Sequence, residues 1–531
     1  MPWWKKAVVY QIYPRSFRDS NGDGIGDLRG IISRIDYIVS LGVDAVWINP
    51  VYLSPERDNG YDISDFRAIQ PEYGTMEDMQ ELIDQLHARG IRLILDMVLN
   101  HTSNEHEWFR QARRSRDDPY YSFYHWWPAE KGEPPHRCGF FDAAGKGWEF
   151  NAATHSYYLH YFAPEQPDLN WENPEVRRQL YDMLRFWLDK GVDGLRMDAI
   201  CFISKDTAWP EISPELLKEK YHGDWGHYYA AGPDLHEYLR EMNEEVLSKY
   251  DVAVVAEASG ISSDQALLFV DAERREVDML YHFEGVSIGY VPGEFKKVDP
   301  NGFELSEWKE VYGRWDEALK RKGWGTVYLG NHDQPRMVSR WGDDSAAAAK
   351  LLLTFLLTMK GTPFIYNGDE LGMTNIRFEK IEDYRDIETI QMYQHLKDKA
   401  GFMTDQQLTG RDNGRTPFQW DGSVNAGFSS GQPWISVNPN FVSINRCVQE
   451  GEKGSVLNYF RELVRLRKAN PALVYGDYRL LLPEHPAIYA YTRSYEGGCW
   501  TILLNFSKEE QTCVVANKEI RLQPYEALIL R

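Results

Sequence analysis

A three-part unit recurs along this 531-residue chain and restricts the folds open to it: an apolar helix, a glycine, then a short apolar strand. Leu28, Ile31, Ile32, Ile35, Ile38 and Val39 recur at helical spacing, Gly42 follows, and Ala45–Ile48 reads as a strand. Met79, Leu82, Ile83 and Leu86 lead through Gly90 to a strand at Arg92–Met97, with Thr75 and Asp78 spaced as a capping box. After Asn173 and Pro174, an N-cap and first-turn pair, Val176, Leu180, Leu184, Trp187 and Leu188 lead through Gly191 to Gly194–Asp198. Further strands are predicted at Val8–Ile12, Val252–Ala256, Met279–Phe283, Thr326–Leu329 and Pro363–Tyr366. Strands alternating with helices in this way predict an α/β fold, a (β/α)8 TIM barrel, with a doubly wound parallel sheet as the alternative.

The glycines are not evenly spaced. Gly42 to Gly90 spans one unit, whereas Gly90 to Gly191 spans about two. The surplus chain is rich in aromatics, His and Pro and lacks helical periodicity, so residues 102–172 are expected to form an inserted lobe after the third strand. Residues 1–101 and 173–470 are then the barrel. From about Pro471 the pattern becomes short alternating segments, such as Ala487–Thr492 and Trp500–Leu504, which predict a C-terminal β-sandwich at 471–531.

A net charge of −21 argues against nucleic-acid or anionic-membrane partners, which need clustered positive charge. No apolar run is long enough to span a bilayer, and Met1 to Lys6 does not read as a signal peptide. The cysteines, Cys138, Cys201, Cys447, Cys499 and Cys513, are odd in number and widely spaced, as expected of thiols in a cytoplasmic protein. Aromatic residues reach 14% of the chain; they suit sugar stacking and core packing equally.

Ionisable residues gather where the strands stop. Asp96 and His101 follow one strand, Arg196 and Asp198 end the next, Glu257 ends another, and His332 and Asp333 follow a fourth. In a barrel these ends converge on one mouth. A single such residue reads as a solvated or ion-paired side chain; several on successive strands read as a site. Three convergent carboxylates suit a retaining glycosidase, whose nucleophile and acid/base stand roughly 5–5.5 Å apart. No H-x-x-H or C-x-x-C spacing accompanies them, which disfavours a transition metal.

Four segments in order, D-M-V-L-N-H (Asp96–His101), G-L-R-M-D-A (Gly194–Ala199), V-A-E-A-S (Val255–Ser259) and G-N-H-D-Q (Gly330–Gln334), resemble the α-amylase family of glycoside hydrolases, in its oligo-1,6-glucosidase and α-glucosidase branch. The resemblance runs along essentially the whole chain. It implies Asp198 as nucleophile, Glu257 as general acid/base and Asp333 as stabiliser. It also implies Arg196 as the partner that lowers the nucleophile's pKa, and His101 and His332 as ligands of the sugar. N-G-Y-D-I-S-D-F (Asn59–Phe66) resembles the branch's pocket-closing loop, implying that Tyr61 stacks on the terminal glucose and that Asp62 holds its distal hydroxyl. R-D-N-G-R-T-P-F-Q-W (Arg411–Trp420) resembles its late barrel loop, in which Arg415 would pair with Asp62. Q-P-D-L-N (Gln166–Asn170) matches the same branch. Phe141 and Phe162 are aromatic candidates beside the leaving sugar, or core residues. Ala199, next to the nucleophile, stands where Val accompanies α-1,6 and Ala or Thr α-1,4 specificity, so maltose-type substrates are expected, with some isomaltose activity.

D-S-N-G-D-G-I-G-D (Asp19–Asp27) alternates oxygen-bearing side chains with glycines, a pattern for a hard cation or a plain polar turn. Its twelfth position is Gly30 rather than the Glu of an EF-hand. The resemblance implies a structural Ca2+ or Mg2+ bound through Asp19, Asn21, Asp23, the Ile25 carbonyl and Asp27.

The expected function is an exo-acting α-glucosidase that releases glucose from the non-reducing ends of short oligosaccharides or disaccharides. A transglucosylase or isomerase of the same family, such as a sucrose isomerase or trehalose synthase, is the alternative. A non-catalytic subunit like the heavy chains of amino-acid transporters fits poorly, because those lose the acids that this chain keeps.

Overall fold

The computed structural model describes all residues except 142–144, 292, 293, 295 and 301. Eight parallel strands form one sheet: β1 Val9–Ile12, β2 Ala45–Ile48, β3 Arg92–Val98, β4 Gly194–Asp198, β5 Ala253–Ala258, β6 Met279–His282, β7 Thr326–Val327 and β8 Thr362–Tyr366. They lie in the order β6-β5-β4-β3-β2-β1-β8-β7, and a parallel bridge from Leu280 to Gly325 joins the two ends. The sheet is therefore a closed barrel, which removes the doubly wound alternative. Each strand is followed by a helix: α1 Ile35–Leu41, α2 Met76–His87, α3 Pro174–Asp189, α4 Leu235–Glu245, α5 Ala266–Val270, α6 Leu305–Leu319, α7 Ala346–Thr358 and α8 Val456–Ala469. The Thr75–Asp78 capping box is present, and Asn173 caps α3 with Pro174 in its first turn. β7 is shorter than its apolar run because Tyr328 and Leu329 leave the ladder as the chain turns towards Asp333.

The chain between β3 and α3 carries a small sheet whose strands lie in the order Trp126–Pro128, Ser156–Leu159, Trp148–Asn151. It also holds a helix, Glu107–Ala112, that the sequence pattern did not announce. With one and a half turns, that helix is too short to display a periodicity. Bridges from His101 to Asp168 and from Tyr124 to Leu169 return this lobe to the end of β3. Lys205, beyond β4, pairs with Asp168 at 2.9 Å with both side chains fully buried, so the lobe is anchored next to the barrel mouth.

The C-terminal strands form an antiparallel sheet in the order Asp477–Leu481, Ile488–Tyr495, Gly498–Asn505, Ala527–Leu530, with a separate ribbon of Gln511–Val515 and Lys518–Leu522. Strand alternation gives the sheet two buried faces. Tyr489, Tyr491, Ile502 and Leu504 join the core of the barrel, whereas Ile488, Ala490 and Leu503 pack with Cys513 and Leu522 of the ribbon.

Candidate active site

The ladder between β3 and β4 sets Asp96 level with Arg196, and Asp198 two residues further on, so all three point into the barrel. Glu257 comes from the next strand. Arg196 is fully buried and holds the group together. One nitrogen lies 2.9 Å from Asp96 and 2.6 Å from Asp198, and the other bonds Glu257. The second oxygen of Glu257 accepts the backbone N–H of Ala199 at 2.7 Å. Ala199 is held at φ 47°, in the left-handed region that non-glycine residues seldom occupy, and this turn aims its amide at the acid.

One guanidinium cannot compensate three buried carboxylates. Burial pushes Glu257 up to about 8, and Arg196 offsets only part of that rise. Burial also raises Asp198, again against the pull of Arg196. Arg196 does pull the nucleophile's pKa down, but burial outweighs it, because its charge is shared with Asp96 and Glu257. Asp333 is different. Burial opposes its ionisation, but His332, Arg411 and Arg415 overcome this and hold it well below the usual carboxylate range. Arg411 and Arg415 approach its Oδ1 at 3.0 and 3.1 Å, and His332 Nε2 approaches Oδ2 at 3.1 Å. Burial drives His332 itself down to about 4, so the two arginines carry the effect near neutral pH.

Asp198, Glu257 and Asp333 line one cavity of about 330 Å³ together with Tyr61, His101, Phe141, Phe162 and Gln166. Tyr61 stacks on His332 with ring centres 5.1 Å apart and donates to Asp96 at 2.8 Å. Gln166 donates to Asp58 at 3.1 Å and lies 3.2 Å from His101 Nε2. Phe141 and Phe162 meet at 5.5 Å, with Phe140 and Phe202 extending the apolar wall. Arg196, Ala199 and His332 do not line the cavity; they touch the acids from behind.

The predicted Asp62–Arg415 pair does not form. Asp62 is fully buried and braces its own loop, accepting from Ser54 Oγ and from the amides of Arg57 and Asp58 at 3.0 Å each. Arg415 lies behind Asp333 and donates to the His332 carbonyl at 2.8 Å. The ion pair that closes the cavity is Asp58 with Arg411, at 3.3 Å. Asp58 directly precedes one of the two quoted segments and Arg411 opens the other, but a loop sequence does not say which of two nearby charges faces inward. Glu388 and Lys296 also line the cavity and pair at 2.7 Å, bridging the loops after β8 and β6; no motif marked them.

The Asp19–Asp27 loop is wound on its own amides. Asp19 accepts from Asn21, Gly22, Gly24 and Ser429 Oγ, Asp23 accepts from Ile25, and Asp27 caps the helix that begins at Leu28. Gly22 and Gly24 supply the positive φ that such a winding needs. Asn21 Nδ2 donates to Asp23 at 3.0 Å, so an ion coordinated by both side chains would have to turn that amide. Among the described residues no three His, Cys, Asp or Glu side chains converge as a metal cluster.

Residues 11–476 match the model of the α-amylase catalytic domain. The chain is 47% identical to an oligo-1,6-glucosidase of Parageobacillus thermoglucosidasius, covering 100% of this chain and 99% of that one. It is 41% identical to a trehalose-6-phosphate hydrolase of Bacillus subtilis (strain 168), covering 100% and 98%. The crystal structure of a trehalulose synthase from Pseudomonas mesoacidophila, 43% identical, superposes with a TM-score of 0.96 over 100% of this chain and 99% of that one. Motif order, barrel, clustered acids and full-length similarity agree: the chain belongs to the α-amylase family of glycoside hydrolases.

Proposed function

We propose that the protein is a retaining, exo-acting α-glucosidase that releases glucose from the non-reducing ends of short α-glucosides. The observation that carries this reading is a small cavity with Asp198, Glu257 and Asp333 on its floor and the Asp58–Arg411 pair across its end. A terminal glucose fits such a pocket; the middle of a polymer does not. Glu257, kept protonated by burial, gives its proton to the leaving oxygen while Asp198 attacks the anomeric carbon and forms a glucosyl ester. Glu257 then takes a proton from water, which releases glucose with its configuration retained. Asp333, fixed as a carboxylate, stabilises the cationic transition state.

A second reading is favoured by the aromatic wall of Phe140, Phe141, Phe162 and Phe202, which could shield the glucosyl ester from water and favour isomerisation. The structural relative's name, trehalulose synthase, points the same way. Separate incubation with maltose, isomaltose, sucrose, trehalose and trehalose 6-phosphate, with all products identified by chromatography, separates the two. Free glucose from maltose or isomaltose supports hydrolysis; a sucrose isomer as main product overturns it. The oligo-1,6-glucosidase relatives suggest α-1,6 bonds and Ala199 suggests α-1,4 bonds, so both linkages are proposed as substrates. Ala199→Val is expected to lower the maltose-to-isomaltose ratio of kcat/KM. An unchanged ratio places linkage choice elsewhere.

We also propose a structural Ca2+ or Mg2+ in the Asp19–Asp27 loop, supported by its alternating oxygen donors, and a cytoplasmic location, supported by the unbridged Cys201, Cys447, Cys499 and Cys513.

A further inference from the structure

His332 is held between the rings of Tyr61 and Tyr13, and its two nitrogens face different company. Nε2 is buried beside Asp333 with no aligned hydrogen-bond partner. Nδ1 lies 3.0 Å from Gln11 Nε2 and 3.0 Å from Asn49 Nδ2. Both amides are buried, and neither touches the cavity.

The direction of every bond in this network follows from one end. Asp96 is held by Arg196 and by the Trp47 indole N–H, and as a carboxylate it can only accept. The Tyr61 hydroxyl must therefore donate to it, which leaves the Tyr61 oxygen as an acceptor for Asn49 Nδ2 at 2.7 Å. With its NH2 turned that way, Asn49 presents Oδ1 to Gln11, whose Nε2 donates at 2.9 Å. Turning the Gln11 amide over would set its oxygen against that of Asn49, so Gln11 keeps its orientation although its own oxygen is left without a partner. Two N–H donors thus meet at His332 Nδ1, where no proton can then reside.

We propose that Gln11 and Asn49 are positioning residues that hold His332 in the Nε2–H tautomer, with Nε2–H directed at the Asp333 carboxylate. This inference deepens the α-glucosidase reading and, for the role of Asp333, rests on it. The charged groups facing the ring are Asp333, Arg415 and Arg196. Of these, Asp333 lies beside Nε2 and as a carboxylate favours a proton there, in the same sense as the two amides that close Nδ1 to one. Without them, Nδ1–H would be open to the imidazole, and a bare Nε2 would face the Asp333 carboxylate lone pair to lone pair.

The test uses the full-length enzyme with 15N-labelled histidine. Long-range 1H–15N spectra between pH 6 and 8 report the tautomer without any substrate, and His332→Asn identifies the signal. The wild-type ring is expected to carry its proton on Nε2 alone. Gln11→Glu, the same size but offering an acceptor, should draw a proton onto Nδ1 and lower kcat/KM at least tenfold on whichever glucoside the enzyme cleaves. Asn49→Asp should move the proton in the same direction and serves if Gln11→Glu does not fold. A wild-type ring protonated at Nδ1, or a folded variant whose tautomer or kcat/KM is unchanged, overturns the proposal. A mistaken substrate class would leave the tautomer spectra as expected, so the two failures are distinguishable.

Discussion

Asp198 and Glu257 share Arg196 but need opposite protonation states to act, and burial raises both. The acid limb of kcat/KM should follow ionisation of Asp198: activity rises as that proton leaves. The alkaline limb should fall near pH 8 as Glu257 loses its proton. Because the acids interact, the two limbs report the pair, and Glu257→Gln should shift the acid limb as well as flatten the alkaline one. A flat profile between pH 5 and 9 would contradict this account. Asp198→Asn should lower kcat by about four orders of magnitude or more, since an amide forms no glucosyl ester. Azide should partly rescue Glu257→Gln on substrates with good leaving groups. At this scale the strand residues were legible in the sequence, because a carboxylate at the end of an apolar run has one inward direction. The loop residues were not. Asp58 and Asp62 lie four apart in one loop, and only the fold of that loop shows Asp62 braced by amides and Asp58 facing Arg411.

At the scale of elements, the loops after β2 and β8 meet across the cavity through that pair. Asp58→Ala should lower kcat/KM on disaccharides about a hundredfold by breaking the Arg411 pair that closes the pocket's end. Wild type should act poorly on starch and long dextrans. A rapid early loss of iodine colour from amylose would show that the pocket's end is open. The Asp19–Asp27 loop packs on another distant segment: Ser429 donates to Asp19, and the Trp434 amide donates to the Gly24 carbonyl. An ion in this loop would stabilise the junction by mass action. Chelation should therefore lower the melting temperature more than the rate at low temperature. Equal melting of chelated and calcium-saturated protein would leave the loop a turn. The alternation of donors was legible here, but a bound ion was not, because amide-wound turns and cation loops use the same residues.

At the scale of the whole molecule, two buried arginines bonded to main-chain carbonyls join the C-terminal sheet to the barrel. Arg467 of α8 donates to the carbonyls of Leu357, Met359, Gly361 and Leu473. Arg493 donates to those of Thr358, Val474 and Gly476. Arg467→Met should strand several buried carbonyls and cost about 3 kcal/mol, seen as a lower melting temperature with kcat unchanged at low temperature. The barrel and the C-terminal strands were legible from periodicity, but this junction was not. Its arginines look like surface residues in sequence and are buried only once the last strands lie against α7 and α8.

That Asp96, Asp198 and Glu257 share one guanidinium has a consequence for what else the pocket will hold. Asp96, Asp198 and Glu257 together demand more positive charge than Arg196 supplies. A ring the size of glucose that brings its own positive charge, as a protonated amine does, would settle that deficit before any bond is broken. Such amines should outcompete neutral sugars at neutral pH and lose their advantage in acid, as protons bound by the carboxylates do the same service. Amine buffers would then act as inhibitors of this enzyme rather than as inert solvent.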